Sequence, residues 1–302
     1  MRIAIFGAGA IGGYYGGRLA QAGFDVHLIA RGEHLAALRS NGLVVRSVRG
    51  DFTIQPNVHA DAADIGPCDV ILFCVKTYDI EEAAAQLTPL LHEGTTVISL
   101  QNGVDNAERI SRVINRGRVL GGAAYIFASI TEPGVIVDAG GPGALVFGGS
   151  DPSEMEWGRP FLEACVAANI TADLVADIRT RLWEKFVLIC ALAGMTATTR
   201  VTIGEIRNVP ASYEMFRRIA VEVQTLAQHE GVVLPDDTAD RIVGLVGAAD
   251  PEGRSSLYLD VARGRRLELE SLHGYVVRRS RAHGIQSPMN EAVYAILKPH
   301  DV

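Results

Sequence analysis

Residues 2–20 read Arg2-Ile-Ala-Ile-Phe-Gly7-Ala8-Gly9-Ala10-Ile11-Gly12-Gly-Tyr-Tyr-Gly-Gly-Arg-Leu-Ala20. A short β-type run passes directly into Gly-x-Gly-x-x-Gly, and helical periodicity follows from Ala10 to Ala22. Each glycine has its own task in such a turn. The first makes the tight reversal, the second lets backbone approach a pyrophosphate, and the third lets the helix lie close on its strand. The phosphates then meet the amides at the positive end of the helix. Strand, glycine turn and helix in this order predict a dinucleotide-binding unit with Gly7, Ala8, Gly9, Ala10, Ile11 and Gly12 at the cofactor.

The pattern continues outward from that turn. Asp25–Ile29, Val70–Val75 and Thr96–Leu100 read as further strands, and Glu33–Asn41, Ile80–Leu91 and Asn106–Ile114 as helices. Val70–Val75 is apolar throughout, as a parallel strand covered on both faces must be. Strand–helix alternation predicts an α/β, doubly wound parallel sheet. Leu43–Arg49 and Asp51–Gln55, around Gly50, read as a hairpin interrupting it. Val119 to Gly149 has the texture of short strands and Gly/Pro turns. After Asp151 the pattern is mainly helical: Ser153–Ala168, Ile178–Thr198, Ala211–Glu230, Asp236–Val246 and Leu267–His283. The expected layout is a Rossmann-type domain over 1–172 and an all-helical domain over 173–302.

Where an NAD site usually carries an acidic residue for the ribose hydroxyl, this chain has Ala30-Arg31. The planar guanidinium of Arg31 suits a 2′-phosphate, which favours NADPH. The next two strands end in Lys76-Thr77 and Gln101-Asn102-Gly103. Ligands of open α/β sheets bind beyond the carboxyl ends of the strands, so Lys76 and Asn102 are expected near the nicotinamide half.

Composition narrows the function classes. The formal charge of −7 argues against nucleic acid, and 48% hydrophobic against 21% charged residues is an ordinary globular balance. Cys68, Cys74, Cys165 and Cys190 lie singly in apolar runs, as buried thiols in a reducing cytoplasm do, and the histidines show no ligand spacing, so no metal is expected. The longest apolar run, Phe186–Met195, is short for a membrane span. No secretion signal is visible. Of 28 basic residues only Lys76, Lys185 and Lys298 are lysine. Lys185 starts the buried stretch of the most apolar helix, and a partly desolvated ammonium can give and take a proton where arginine cannot. Hydride reduction of a carbonyl needs such a proton on the oxygen.

Taken in order, Gly7–Gly12, Arg31, Lys76, Gln101-Asn102-Gly103, Thr131–Gly134, Leu182-Trp183-Glu184-Lys185, Ser255-Ser256, Glu268 and His273-Gly274 through His283-Gly284 resemble the 2-dehydropantoate 2-reductase (ketopantoate reductase) family. The resemblance runs nearly the whole chain. It implies a Rossmann domain paired with a helical domain across a cleft, and NADPH-dependent reduction of 2-dehydropantoate to (R)-pantoate in pantothenate synthesis. It further implies that Lys185 is the proton donor, that Asn102 touches nicotinamide and substrate, and that Lys76 lies beside the nicotinamide ribose. Ser256 would bind substrate, and Glu268 and Ala128 would border the cofactor. The apolar helical half is compatible with a homodimer.

The chain departs from the family where asparagines commonly follow the lysine. Those positions are Ile189, Ala193 and, approximately, Ile203. Residues at i, i+4 and i+8 share a helix face, so a greasier pocket beside Lys185 is expected. The alternative substrate is therefore a more apolar 2-oxo acid or ketone. A non-catalytic NADP-binding sensor is the minor alternative.

Overall fold

Alternate residues of the first strand feed two different cores. Ile3 and Ile5 pack with Leu28, Val70 and Leu72 on one face, while Ala4 and Phe6 pack with Ile71 and Phe73 on the other. That double burial is why these strands carry no polar alternation. A computed structural model describes residues 1–301. The chain forms two compact units, residues 1–101 with 105–178 and residues 102–104 with 179–302.

The strands of the first unit are β1 (Arg2–Phe6), β2 (Asp25–Ile29), β3 (Leu43–Ser47), β4 (Phe52–Ile54), β5 (Asn57–His59), β6 (Val70–Phe73), β7 (Thr96–Ser99), β8 (Arg118–Tyr125), β9 (Ala128–Glu132), β10 (Val135–Asp138), β11 (Ala144–Gly148) and β12 (Ala172–Val175). Eight make one sheet in the order β12-β11-β8-β7-β6-β1-β2-β5, parallel except where β11 meets β8. Because β12 pairs with β11, the first unit runs through to Ile178. The hairpin read at residues 43–55 forms, but outside this sheet. With β9 and β10 it makes a second sheet, ordered β4-β3-β10-β9.

Helices α1 (Ala10–Gln21), α2 (Gly32–Asn41), α3 (Ile80–Ala85), α4 (Asn106–Ser111) and α5 (Met155–Ala167) complete the unit. The helix read over Ile80–Leu91 is shorter than expected. Pro89 lacks the amide needed to continue it and sits in a separate 3-10 turn, Thr88–Leu90.

The second unit is helical: α6 (Ile178–Thr199, its first residue in the first unit), α7 (Ile203–Arg207), α8 (Pro210–His229), α9 (Thr238–Gly247), α10 (Ser256–Ala262), α11 (His273–Ala282) and α12 (Pro288–Leu297). α6 is its spine, with Trp183, Phe186, Val187, Cys190, Ala191 and Met195 all in one core. Its 22 residues are long and apolar enough to cross a membrane, which the short run Phe186–Met195 did not suggest. More than half of its most apolar window is buried within the fold, as for a helix that is apolar all round and sits in a protein core. The long helix read over Leu267–His283 is a correction. A 3-10 turn at Leu269–Ser271 precedes α11, with a break at Leu272. The tighter turn eclipses residues three apart and sends both Leu269 and Leu272 into the core.

Candidate functional site

In the first unit the chain leaves β1 toward β2 on one side and returns to β6 on the other, a switch point that opens a crevice beyond the strand ends. A cavity of about 300 Å³ lies there, lined by residues at the ends of β1, β2 and β6. Gly7 turns the chain at φ +96°, and a Cβ on Gly12 would collide with the Gly7 carbonyl oxygen and Ile5. At Gly9 a Cβ would meet nothing within 4 Å, so that backbone is bare toward open space. α1 has no side-chain cap and no acidic residue in its first turn. Its leading amides are therefore available to an anion, and the dipole favours one. These features fit the diphosphate of a dinucleotide.

The walls carry balanced charge. Arg31 and Lys76 line the cavity together with Asp79 and Glu82. The Arg31 guanidinium donates to Gln86 Oε1 at 3.1 Å. Cys74 is also in the wall, and burial pushes its thiol up to about 12, so it is no nucleophile. Of the residues expected at the cofactor, the cavity brings together Gly7, Ala8, Gly9, Arg31 and Lys76. Ala10, Ile11 and Gly12 form the first turn of α1, outside the wall. Ala128 opens β9 in the second sheet, and Ile130 of that strand is the lining residue. Sequence reading missed His34, Asp79, Glu82 and Gln86. The i, i+4 spacing of Glu82 and Gln86, just after Lys76, was the available signal.

Asn102, Lys185, Ser256 and Glu268 belong to the second unit. Lys185 is half-buried on α6. Burial pushes its ammonium down to about 8, and the Glu268 carboxylate pulls it back up. Leu188 and Ile189, one turn on, are also half-buried, whereas Ala193 and Ile203 are 4% and 1% exposed within the core. Only the first of the three departures is therefore partly exposed, as Lys185 is. Ser255 caps α10 by accepting from the Tyr258 amide at 3.0 Å and lies 2.7 Å from the Thr196 hydroxyl. Thr196 in turn donates to the Leu192 carbonyl, so Ser255 is occupied structurally while neighbouring Ser256 is exposed. Glu268 and Glu270, read as sharing a long helix, lie instead at the N-cap and inside a 3-10 turn, respectively. Glu270 accepts from Tyr294 Oη at 2.7 Å and from Lys298 Nζ at 2.8 Å, and pairs with Arg278. That leaves Glu268 as the carboxylate acting on Lys185.

Comparison with known proteins adds independent findings. Residues 3–152 match the family model described as "Ketopantoate reductase PanE/ApbA", and 177–301 match "Ketopantoate reductase PanE/ApbA C terminal". A 2-dehydropantoate 2-reductase of Archaeoglobus fulgidus is 32% identical over 301 residues, covering 98% of this chain and 97% of the relative. The crystal structure of a PanE/ApbA family ketopantoate reductase from Ralstonia eutropha JMP134 superposes with a TM-score of 0.91 at 34% identity, covering 100% and 98% of the two chains. A D-mandelate dehydrogenase solved with NADH and anilino(oxo)acetate shares the fold, with a TM-score of 0.90 at 20% identity over 100% and 98% of the chains.

Proposed function

The chain belongs to the ketopantoate reductase family of oxidoreductases acting on CH–OH and C=O groups, and from that premise we propose that it reduces the ketone of 2-dehydropantoate to (R)-pantoate with NADPH. The observation that carries the reading is Lys185, an ammonium brought to about 8 on an apolar helix with the Glu268 carboxylate acting on it. A group with that balance holds a proton at neutral pH and releases it at little cost.

NADPH supplies hydride to the carbonyl carbon. The glycine turn holds the diphosphate on the leading amides of α1, Arg31 meets the 2′-phosphate, and Lys76 and Asn102 serve the nicotinamide end. The Lys185 ammonium stabilises charge growing on the ketone oxygen and passes it one proton, which leaves a neutral amine to be reprotonated from solvent. Ser256, exposed beside the cap residue, receives the substrate carboxylate.

Leu188 and Ile189 support a second reading, a 2-oxo acid with a more apolar substituent. One assay separates the readings: oxidation of NADPH and of NADH, followed by absorbance, against 2-dehydropantoate and a series of bulkier apolar 2-oxo acids. Turnover of 2-dehydropantoate at low concentration is the expected result. Preference for the apolar acids moves the substrate to the second reading. Tight NADPH binding with no turnover of any ketone points to a sensor. Arg31→Ala should weaken NADPH about ten-fold or more while leaving NADH unchanged, since a charge-assisted contact is lost only with the phosphate. Equal weakening of both would refute the NADPH preference.

A further inference from the structure

His34 lines the dinucleotide cavity from the first turn of α2, and both of its ring nitrogens are engaged. The Gly134 amide donates to Nδ1 at 3.0 Å. An amide N–H can only donate, so Nδ1 bears no proton, and Nε2 must carry the hydrogen of the neutral ring. Nε2 in turn lies 2.9 Å from the Ala8 carbonyl oxygen and donates to it. The tautomer thus follows from the two partners without ambiguity.

Both partners are well anchored. Gly134 occupies the tight turn between β9 and β10 at φ +82°, and its carbonyl accepts from the Val44 amide at 2.9 Å. Ala8 is the residue between the first two glycines of the cofactor turn, and its own amide donates to the Ile29 carbonyl at 2.8 Å. In a trans peptide the carbonyl of Ala8 and the amide of Gly9 point in opposite directions. The group that fixes the Ala8 oxygen therefore fixes the aim of the Gly9 N–H, where the backbone is bare toward open space.

We propose that His34 is a positioning residue for the dinucleotide: a neutral imidazole that ties the glycine turn to the second sheet and orients the Ala8–Gly9 peptide for the diphosphate. The assignment rests on the reading of this cavity as the dinucleotide site. Protonation is incompatible with the arrangement, because a second ring N–H would oppose the Gly134 amide. Burial disfavours the imidazolium as well. The charged groups around the ring are Arg31 and Glu33 on its own element, Lys76, Asp79 and Glu82 across the cavity, and exposed Glu132 at the end of β9.

The test measures NADPH binding by fluorescence for the wild type and for His34→Ala, His34→Gln and His34→Asn, alongside exchange of the Gly134 amide without cofactor. Loss of the hydrogen bond that His34 donates to the Ala8 carbonyl should raise the Kd about ten-fold in His34→Ala and His34→Asn. Glutamine reaches the Ala8 oxygen with its Nε2 and should recover most of that loss. Gly134 exchange should quicken in His34→Ala and His34→Gln. Wild-type affinity should fall in acid, once pH drops below the ordinary imidazole range, more steeply than that of His34→Gln, which keeps only the titration of the cofactor's own phosphate. A wild type that binds neither NADPH nor NADH overturns the cavity reading and the clamp with it. Wild-type binding that His34→Ala leaves unchanged overturns the clamp alone. So does affinity that rises in acid, which would mark His34 as a direct phosphate ligand.

Discussion

The glycine turn of the first unit and the Lys185 stretch of α6 in the second are proposed to do complementary work by opposite means. The turn acts through backbone: Gly7, Ala8 and Gly9 offer amides and space, and no side chain among them does chemistry. On that proposal α6 acts through one side chain, Lys185, pushed one way by burial on an apolar helix and the other by Glu268. Backbone function is set by local stereochemistry, so it is written in a contiguous motif. Side-chain function is set by a tertiary environment, so it leaves only a residue type in an odd place.

The largest expected effect tests the second half of that contrast. Lys185→Ala should lower kcat for ketone reduction by roughly a hundred- to ten-thousand-fold, the usual range for a positioned general acid, with NADPH binding little changed. The wild-type rate should hold below a pH of about 8 and decline above it, because reduction needs the protonated ammonium. Oxidation of the alcohol should show the reverse profile. Glu268→Gln removes the pull that raises this group, so the inflection should move to lower pH. A pH–rate profile that is the same in wild type and Lys185→Ala would show that the proton comes from elsewhere.

Burial alone does not make a group catalytic, and His273 marks the difference. It is fully buried at the start of α11, with Nδ1 2.9 Å from Asn290 Oδ1 and its ring against Gly194 of α6. Burial pushes it down to about 4, against the Asn290 hydrogen bond. Folded His273 is thus harder to protonate than unfolded. Stability should be complete above about pH 6.5 and fall as pH drops toward 4, where the cost reaches about 3 kcal/mol. Urea titrations from pH 7 to 4 measure it, and His273→Gln should flatten the decline. A wild type equally stable across that range would mean the ring is solvated or paired in acid.

A paired substitution probes the backbone half. Gly12→Ala puts a methyl group into the Gly7 carbonyl and Ile5, and overpacking of that kind costs about 1–3 kcal/mol, read as a lower Tm. Gly9→Ala meets no protein atom, so its folding stability should hold within about 0.5 kcal/mol while its NADPH Kd rises several-fold. If Gly9→Ala binds NADPH as the wild type does, the diphosphate does not lie over that residue.

What could be read from sequence follows the same division. The parallel strands and the glycine turn were legible because double burial and a dinucleotide turn leave contiguous signatures, as Val70–Phe73 and Gly7–Gly12 do. The second sheet was not legible, because pairing β3 with β10 joins segments about ninety residues apart whose local pattern resembles any hairpin. His34 escaped for a related reason, since its partners Ala8 and Gly134 are distant in sequence. The 3-10 turn at Leu269–Ser271 escaped because the packing of Leu269 and Leu272 sets it, which helical periodicity does not distinguish.

The smallest effect belongs to the third lysine and completes the contrast. Lys298 stands out compositionally as much as Lys185 does, yet its side chain is 47% exposed and pairs with Glu270 and Asp301. Exposed pairs of this sort are screened by solvent, and Glu270 keeps Tyr294 and Arg278 when the ammonium is removed. Lys298→Ala should therefore cost no more than about 1 kcal/mol, shrink further in high salt, and leave kcat untouched. A loss of activity matching that of Lys185→Ala would mean that the rarity of lysine, rather than its burial, is the informative signal. An unchanged kcat with a salt-sensitive Tm would place the whole distinction between the two residues in their surroundings, one ammonium poised by an apolar helix and the other half-exposed and held by two ion pairs.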